Sequence, residues 1–405
     1  GDTMKREMHG ARFGLAFRLL VAGLGGAASF GLGVGSVLAQ AVIAEAEEPG
    51  VNTLEPPKAG WFFVRGPWGS GGSSIFDAAS GRMLGMVSTS RDSDLAIDPA
   101  GRFYYVAETM WTKGNRGTRQ DLVSVYDSRT LKLLAEIPTP GRLIIGGFNT
   151  NFVLSDDGRT AYDYNFDPAS SVNVIDLAKR RFVRAIELPG CASLIPNPGV
   201  GFSALCADGT IATVAIRGAG HDITRSAEFF DAAADPIFSN VVYDRRRKQA
   251  VMLSYTGKVW TATMGAAPQV SAPFSIQEAG GMRSADTSPL DIAWYPGGMQ
   301  PMALHRPSNT LWVLMHKGEY WSHKEGAEEI WGVDLAAKKV VRRLPVKGHP
   351  RNIEITQDDA AMIMVNGMDN NATIIDSRTG EVKHTIENAG GGLITVFEPM
   401  AGAAQ

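Results

Sequence analysis

A short apolar stretch that ends in an aspartate recurs along this chain. Each copy alternates apolar and polar residues before the carboxylate, as in Val-Asn-Val-Ile-Asp, and a polar turn follows. The copies end at Asp77, Asp127, Asp176, Asp334 and Asp376, with steps of 50, 49 and 42 residues and a gap of 158 that leaves room for two less regular units. Alternation with a period of two is typical of strands, and one such unit cannot bury its apolar face alone. The repeat therefore predicts an array of similar sheets.

A step of this length, with strand alternation and no long helical stretch, is typical of propeller blades. Turn signals containing Asp and Gly recur with a similar step. Counting the regular units and the two irregular ones predicts an all-β fold, a seven-bladed β-propeller over residues 60–398. We place the first blade at 73–108. We also expect the strand at 60–64 to pair with the end of the last blade, because that pairing closes the ring and removes its open edge.

The N-terminus has the pattern of an export signal. Basic residues within the first twelve precede a largely apolar run over 13–38, and an Ala-Gln-Ala triplet that ends at Ala41 supplies a cleavage site. This pattern predicts a signal peptide over 1–41. The alternative is a membrane anchor, because the run is long enough to span a bilayer. The acidic, proline-bearing segment that follows predicts a flexible arm over 42–59, and residues 399–405 form a C-terminal tail.

Composition excludes one class of partner. With 44% hydrophobic and 20% charged residues, the chain resembles ordinary globular proteins. The formal net charge of −3 gives no broad basic surface, so we exclude nucleic acid as a partner. We also expect no membrane association once the signal peptide has been removed.

The two cysteines of the chain, Cys191 and Cys206, lie beside predicted strands of one blade. An exported chain with an even number of cysteines permits a disulfide. The alternative is a pair of buried free thiols. We predict a bridge within the blade, which by the chain-entropy account would contribute on the order of 3 kcal/mol to stability.

Motifs that carry chemistry are missing from this sequence. It contains no nucleophile elbow, HExxH motif, haem-attachment motif or phosphate-binding loop. His305, His316 and His323 come closest to a cluster, but no acidic residue stands at a metal-ligand interval. We therefore expect histidines at strand ends or in an interface, no metal site and no catalytic residue in this chain. Four tryptophans crowd one and a half blades and fit either core packing or a subunit interface: Trp294, Trp312, Trp321 and Trp331.

A series of short motifs runs the length of the predicted propeller. The cysteine blade contains Cys191…Pro196…Phe202…Cys206-Ala-Asp-Gly209. The others are Arg116-Gly-Thr-Arg119, Asp235-Pro-Ile-Phe238, Tyr255-Thr-Gly-Lys258, Pro296-Gly-Gly298, His305-Arg306, His323-Lys324 and Glu329-Ile-Trp-Gly-Val-Asp334. In this order and spacing, the chain resembles the heavy (large) subunit of the methylamine and aromatic amine dehydrogenases, and the resemblance covers residues 62–397.

The resemblance implies a large subunit, without a cofactor of its own, of a periplasmic amine dehydrogenase that converts primary amines to aldehyde and ammonia. In that family the cofactor, tryptophan tryptophylquinone, lies on a light (small) subunit, two heavy and two light subunits assemble, and a blue copper protein accepts the electrons. This chain would then scaffold the light subunit and line the substrate channel. The motifs do not separate methylamine from aromatic or longer amines as the substrate.

The resemblance also implies one substrate-channel residue. In the family, an aromatic residue of the heavy subunit faces the substrate path in the loop before the first aspartate of the series. Here that loop reads Val64-Arg-Gly-Pro-Trp68-Gly-Ser-Gly-Gly, and Trp68 is its aromatic residue. Trp68 stands one residue out of step with the family pattern, and the glycines around it depart from that pattern. The alternative is a loop tryptophan packed on the rim of the propeller.

Two other functions stay open at the level of sequence. One is an exported β-propeller binding module with no redox role. The other is a lactonase-like or quinoprotein propeller that acts as an enzyme alone. The second would need a metal or a soluble-quinone site, and no cluster of acidic residues and histidines supports one.

Overall fold

Seven antiparallel sheets form the part of the chain that the structure, a computed structural model, describes: residues 53–66, 70–141, 147–166 and 169–400. Strands form because apolar and β-branched residues alternate between Gly-rich and Asp-rich turns. Helix in these residues amounts to one turn of α-helix, α1 (Ile276–Ala279), and one 3-10 turn (Asn149–Asn151). The predicted all-β, seven-bladed propeller is confirmed.

Each sheet is one blade, and the blades follow the order of the chain. Blade 1 contains β1 (Trp61–Arg65), β2 (Ser73–Asp77), β3 (Met83–Val87) and the last strand, β30 (Ile394–Val396). Blade 2 contains β4 (Asp92–Ile97), β5 (Phe103–Trp111), β6 (Arg119–Asp127) and β7 (Leu133–Pro138). Blade 3 contains β8 (Phe152–Leu154), β9 (Thr160–Asn165), β10 (Ser171–Asp176) and β11 (Arg181–Glu187). Blade 4 contains β12 (Cys191–Asn197), β13 (Gly201–Cys206), β14 (Ile211–Arg217) and β15 (Gly220–Arg225).

The remaining three blades include the two with split strands. Blade 5 contains β16 (Val242–Asp244), β17 (Gln249–Leu253), β18 (Lys258–Thr263) and a split outer strand, β19 (Gln269–Val270) and β20 (Phe274–Ser275). Blade 6 contains a split inner strand, β21 (Ala293–Pro296) and β22 (Met302–His305), then β23 (Thr310–Gly318), β24 (Glu329–Asp334) and β25 (Lys339–Pro345). Blade 7 contains β26 (Asn352–Ile355), β27 (Met362–Asn366), β28 (Ala372–Asp376) and β29 (Val382–Ile386).

The hydrophobic core is divided between the blades. Each pair of neighbouring blades encloses its own cluster of buried side chains, seven among the described residues. In β1, Trp61 and Phe63 belong to the cluster between blades 1 and 2, whereas Phe62 and Val64 belong to the cluster between blades 7 and 1. A strand with apolar residues at every position is therefore buried on both faces, so each blade depends on its two neighbours for stability.

The ring closes between the two ends of the chain. β1 pairs with β30 through Phe62↔Val396, Phe63↔Thr395 and Val64↔Ile394, which confirms the expected pairing. The prediction that the first blade covers 73–108 is wrong, because the strands of this segment belong to two different sheets. β2 and β3 belong to the sheet of β1 and β30, while β4 begins the next sheet, because the chain crosses between blades through a connection as short as those within a blade.

The aspartate repeat marks the turn into the outer strand of a blade. Each of the five aspartates ends the third strand, and its carboxylate accepts hydrogen bonds from backbone N–H groups of the following turn. Asp127 Oδ1, for example, accepts from the N–H groups of Arg129 at 2.9 Å and Thr130 at 2.8 Å, and the backbone bond from Thr130 lowers the pKa of Asp127. The third strands of blades 4 and 5, β14 and β18, lack this aspartate, and these blades are the two irregular units.

Strand direction defines two faces of the ring. Turns from the first to the second strand and from the third to the fourth lie at one end of the blades, which we name the turn face. Connections from the second to the third strand, and the crossovers between blades, lie at the other end, which we name the loop face. The connection between β5 and β6 on this face is short, because the two strands stay paired as far as Trp111 and Arg119.

Candidate functional site

The loop face concentrates exposed apolar side chains. Outer strands of the blades expose single apolar residues, as most protein surfaces do. The loop face adds a second set, of which Leu290 is 83% exposed and Ile292 63% exposed. Its other members are Phe166, Met299, Trp321 and Met368. Four of the six come from the segment between 290 and 321, so the apolar surface is densest over blades 5 and 6, and exposed apolar patches of this kind mark interaction sites.

An aromatic patch occupies the loop face where blades 5 and 6 meet. We define it as Phe238, Tyr255, Tyr320, Trp321 and His323. The rings of Tyr255 and His323 stack with centroids 4.0 Å apart and planes 14° apart. Trp321 meets both rings edge-on at 5.6 Å, and Phe238 packs on Tyr255 at 4.7 Å. Offset and edge-to-face contacts of this kind fix ring positions, so the patch is ordered before any partner arrives.

Hydrogen bonds of the residues before and after Trp321 hold this part of its loop in place. The Tyr320 hydroxyl donates to the carbonyl of Ala234, and Ser322 Oγ lies 2.7 Å from Nε2 of His316. Trp321 itself has φ +70°, a left-handed conformation that is uncommon for a bulky residue. Its indole is 53% exposed even so. The loop therefore presents a large aromatic side chain to solvent.

The electrostatics of the patch favour neutral histidines. Burial lowers the pKa of His323, and the positive charge of Lys324 lowers it further. Nδ1 of His323 is buried and has no hydrogen-bond partner within the described ranges. Burial likewise lowers the pKa of His316 beneath the patch. At neutral pH the patch is therefore an uncharged aromatic surface that can bury apolar side chains of a partner.

A stack of cations and indoles borders the patch in blade 6. Lys317 Nζ lies 5.3 Å and the Arg343 guanidinium carbon 5.1 Å from the centre of the Trp294 ring, and Arg343 also lies 4.7 Å from that of Trp331. The Glu329 carboxylate accepts from Trp331 Nε1 and from Arg343 Nε, each at 2.7 Å. These contacts hold the base of the loop and place positive charge beside the patch.

Core packing and a subunit interface were the two alternatives for the four tryptophans, and the structure gives a different answer for different residues. Trp331 and Trp312 lie in the core between blades, at 0% and 6% exposure. Trp294 is half-buried against the same core. Trp321 is the member of the four that reaches the surface, so core packing and an interface role both apply, to different residues.

The structure places the other predicted site residues in different parts of the ring. Cys191 and Cys206 form a disulfide between directly opposed positions of β12 and β13, with Cα atoms 4.0 Å apart, as predicted. His305 lies on the turn face, with Nε2 3.0 Å from the carbonyl oxygen of Asp358, far along the blade from the other two histidines. Within the described ranges, no group of three or more His, Cys, Asp or Glu side chains is arranged to hold a metal ion. Trp68 lies outside the described residues.

A chamber lies between the first strands of the blades, and sequence reasoning gave no sign of it. Its volume is about 170 Å³. Its wall is largely apolar and comes from the first strands of several blades, with Leu95, Phe152, Ile195, Val242 and Val396 among its residues.

Amide side chains join several blades near the inner strands of the ring. Gln300 Nε2 donates to the carbonyl of Ile394 at 2.8 Å, and Ile394 N–H donates to Gln300 Oε1 at 2.9 Å. Asn240 Oδ1 accepts from the N–H of Asn149 at 3.1 Å, and its Nδ2 donates to the carbonyl of Met299 at 2.5 Å. These bonds join segments of blades 1, 3, 5 and 6.

Charged side chains line the chamber at its turn-face end. Glu398, just after β30, forms ion pairs with Arg245 at 3.0 Å and Arg306 at 3.1 Å. Glu354 projects from the blade 7 wall and is 9% exposed; burial raises its pKa to about 7. These residues come from four blades, so no local motif joins them, and the sequence signal was limited to the His305-Arg306 pair.

No helix of the described residues is long and apolar enough to cross a membrane.

Comparisons with known proteins agree with one another. The sequence profile of the family described as methylamine dehydrogenase heavy chain matches residues 71–397. The methylamine dehydrogenase heavy chain of Methylophilus methylotrophus is 27% identical over 285 residues, which are 70% of this chain and 68% of that protein. The heavy chain from Methylorubrum extorquens is 25% identical over 386 residues, 93% of this chain and 92% of that one. Among solved structures, the β-propeller domain of Cps50 (Swd1) from Myceliophteria thermophila aligns with a TM-score of 0.53 at 12% identity, over 78% of this chain and 93% of that one, which supports the fold alone.

Proposed function

The chain belongs to the methylamine dehydrogenase heavy chain family, and from that premise we propose that it is the non-cofactor large subunit of an amine dehydrogenase that oxidatively deaminates primary amines to aldehyde and ammonia. The observation that carries the proposal is the family match over the propeller, residues 71–397. The catalytic group would be tryptophan tryptophylquinone on a light subunit, where it would accept the two electrons of the amine. In this account the heavy chain supplies binding surface and channel wall.

The loop face over blades 5 and 6 would bind the light subunit. It presents an ordered aromatic patch, a strained and exposed Trp321, and the exposed side chains of Leu290 and Ile292. Obligate interfaces bury more than about 2,000 Å² and are rich in aromatic residues at their centre. Rings already fixed by mutual contacts lose little conformational entropy when a partner covers them, which favours tight binding.

The same face would contribute the substrate path. The connection between β1 and β2 joins a second to a third strand, so its described ends, Gly66 and 70–72, belong to the loop face. We keep Trp68 of this connection as the proposed channel-wall residue. A large indole there would narrow the path for amines with bulky substituents.

Export to the periplasm, two heavy and two light subunits, and a blue copper protein as electron acceptor complete the proposal. The Cys191–Cys206 bridge supports the compartment, because structural disulfides persist in oxidising environments. The proposed signal peptide over 1–41 lies outside the described residues. Its removal can be measured by the intact mass of protein purified from the periplasm.

A matched pair of substitutions tests the docking surface. Ile292→Asp places a carboxylate on the loop face, and Val341→Asp places one on outer strand β25, where the side chain is equally exposed, 61% against 63%. Burying an unpaired charge in an interface costs several kcal/mol. The loop-face variant should therefore bind a co-expressed light subunit at least about 30-fold more weakly, and the outer-strand variant should bind like wild type.

Binding would be measured by titration of the purified light subunit, and activity with methylamine and phenethylamine and an artificial electron acceptor. If the two substitutions weaken binding of the light subunit equally, the loop face is not the docking surface. If the wild-type chain binds no light subunit and no amine turns over, the exported binding module with no redox role becomes the better account.

A further inference from the structure

Two hydrogen-bond donors of Arg245 and the positive charge of Arg306 converge on the carboxylate of Glu398 at the turn-face end of the central chamber. Glu398 Oε1 accepts from the backbone N–H of Arg245 at 3.2 Å. Glu398 Oε2 lies 3.0 Å from a terminal nitrogen of Arg245 and 3.1 Å from Nε of Arg306. A carboxylate held by a backbone N–H and two guanidinium groups has the donor set of an anion-binding site.

The site is largely withdrawn from solvent. The side chains of Arg245, Arg306 and Glu398 are 18%, 15% and 10% exposed. The donors are fixed by bonds that do not involve Glu398. Asp244 Oδ1 accepts from the N–H groups after Arg245, and Arg306 Nε also donates to the carbonyl of Tyr243 at 2.8 Å. When the carboxylate is removed, Arg306 keeps its bond to Tyr243 and Arg245 keeps its ion pair with Asp156 at 3.7 Å. The two side chains thus retain partners of their own, which is the condition for a site that a foreign ligand can fill.

Without Glu398, the charged groups around the site would carry a net positive charge. Besides the two guanidinium groups, the groups that face it are Asp156, whose Oδ1 lies 3.7 Å from Arg245 Nε, and Glu354, whose raised pKa keeps it partly protonated at neutral pH. Tyr243 donates its hydroxyl to Asp156 Oδ2 at 3.1 Å. Two positive charges thus face Asp156 and the partly protonated Glu354, and Glu398 supplies the missing negative charge.

We propose that Arg245 and Arg306 form a carboxylate-binding site which the chain fills with its own Glu398, so that the C-terminal segment acts as a clasp across the ring. Glu398 follows β30 in blade 1, whereas the two arginines belong to blades 5 and 6. Beyond it, the N–H of Met400 donates to the carbonyl of Pro99 in blade 2 at 3.1 Å.

The clasp stabilises the ring at its closure, where the last strand pairs with the first. The pairing of β1 with β30 covers three residue pairs, and β30 has no strand on its inner side. Opening of the ring would begin at this short strand, because short terminal strands have the lowest local stability. An ion pair across the axis resists that opening, and it does so independently of any light subunit.

Chemical rescue tests the site. Glu398→Ala in the full chain should lower Tm by roughly 4–7 °C, since loss of one partner from a buried pair leaves uncompensated charge. Sodium formate, compared with sodium chloride at equal ionic strength, should then raise the Tm of this variant in a saturable way, with half-effect in the millimolar range or weaker because formate has three non-hydrogen atoms. Wild type should show no such response, because its site is filled.

Two further variants make the result decisive. Glu387→Ala removes an exposed carboxylate and should leave Tm and formate response unchanged. Glu398→Ala combined with Arg306→Met removes the site and should abolish the rescue. If Glu398→Ala does not fold in buffer, it is refolded in sodium formate and in sodium chloride at equal ionic strength. Recovery of folded protein in formate alone supports the site, and equal recovery in both salts contradicts it. A formate effect equal in all variants, or a Glu398→Ala protein as stable as the Glu387→Ala control, overturns the proposal.

Discussion

Glu354 offers the sharpest test of the electrostatics inside the ring. Its carboxyl group projects into the chamber, and it is 9% exposed. Burial raises its pKa to about 7, against an ordinary value of 4.5; the charge of Glu398 adds to the rise, while Arg306 and the Ile355 N–H oppose it. The folded chain therefore holds a proton that the unfolded chain releases between pH 4.5 and 7.

The sign of the pH effect follows from that difference. Because the folded state binds the extra proton, the free energy of unfolding falls as pH rises through this window and is fully reduced above pH 7. The gap between 4.5 and about 7 corresponds to about 3 kcal/mol in total. Between pH 5 and pH 8 this one group should lower the stability of wild type by about 2–3 kcal/mol.

Glu354→Gln removes the titration while keeping the shape. An amide oxygen can still accept from the Ile355 N–H, and the lost contact to Gln300 is long, at 3.4 Å. We expect the variant to be more stable than wild type by about 2–3 kcal/mol at pH 8, with most of that difference gone at pH 5. Denaturant unfolding at pH 5, 6, 7 and 8 measures the difference, with the exposed Glu387→Gln as the control. A difference that does not change with pH would refute the reasoning.

Three further outcomes follow from the geometry. Replacing Cys191 and Cys206 with Ser should lower the free energy of unfolding by about 3 kcal/mol, and alkylation with intact-mass measurement should find no free thiol in the oxidised wild type. Asp127→Ala should cost about 1–2 kcal/mol by denaturant unfolding, since two backbone N–H groups lose their acceptor, whereas the exposed Glu136→Ala should cost almost nothing. Trp68→Ala should change the ratio of kcat/KM for phenethylamine to that for methylamine by about 10- to 200-fold in complexes with the light subunit; an equal change for both amines would return Trp68 to rim packing.

The sequence predicted the fold well because the repeat has a local cause. An aspartate that caps the turn into the outer strand is needed wherever that turn occurs, so it recurs with the blade. The phase of the blades was wrong because hydrogen bonds, and not sequence, decide which strands share a sheet. The chain passes from β3 to β4 through four residues, a length that a connection within a blade could also have.

The sequence singled out several residues of the candidate site but did not predict the contacts between them. Trp321 was one of four tryptophans for which a subunit interface was an alternative to core packing, and Tyr255 and His323 each lay in a family motif. Their stacking could not be predicted, because it joins the loops of two blades across the surface between them. The group of Glu398, Arg245 and Arg306 is harder still, since three blades contribute and each residue alone resembles an ordinary surface charge.

Substitutions on the two faces of the ring should have different effects, on stability for the turn face and on binding for the loop face, and experiments can separate these effects. On the turn face, short turns and the Glu398 clasp are bonded within the chain, so substitutions there should act on Tm and leave affinity for a light subunit unchanged. On the loop face, Trp321 and Ile292 are exposed and contribute little burial to the folded monomer, so their substitution should act on affinity with little change in Tm. The reason is physical: a side chain can stabilise only the state in which it is buried. For the clasp that state is the closed ring, and for the aromatic patch it would be the proposed complex with a light subunit.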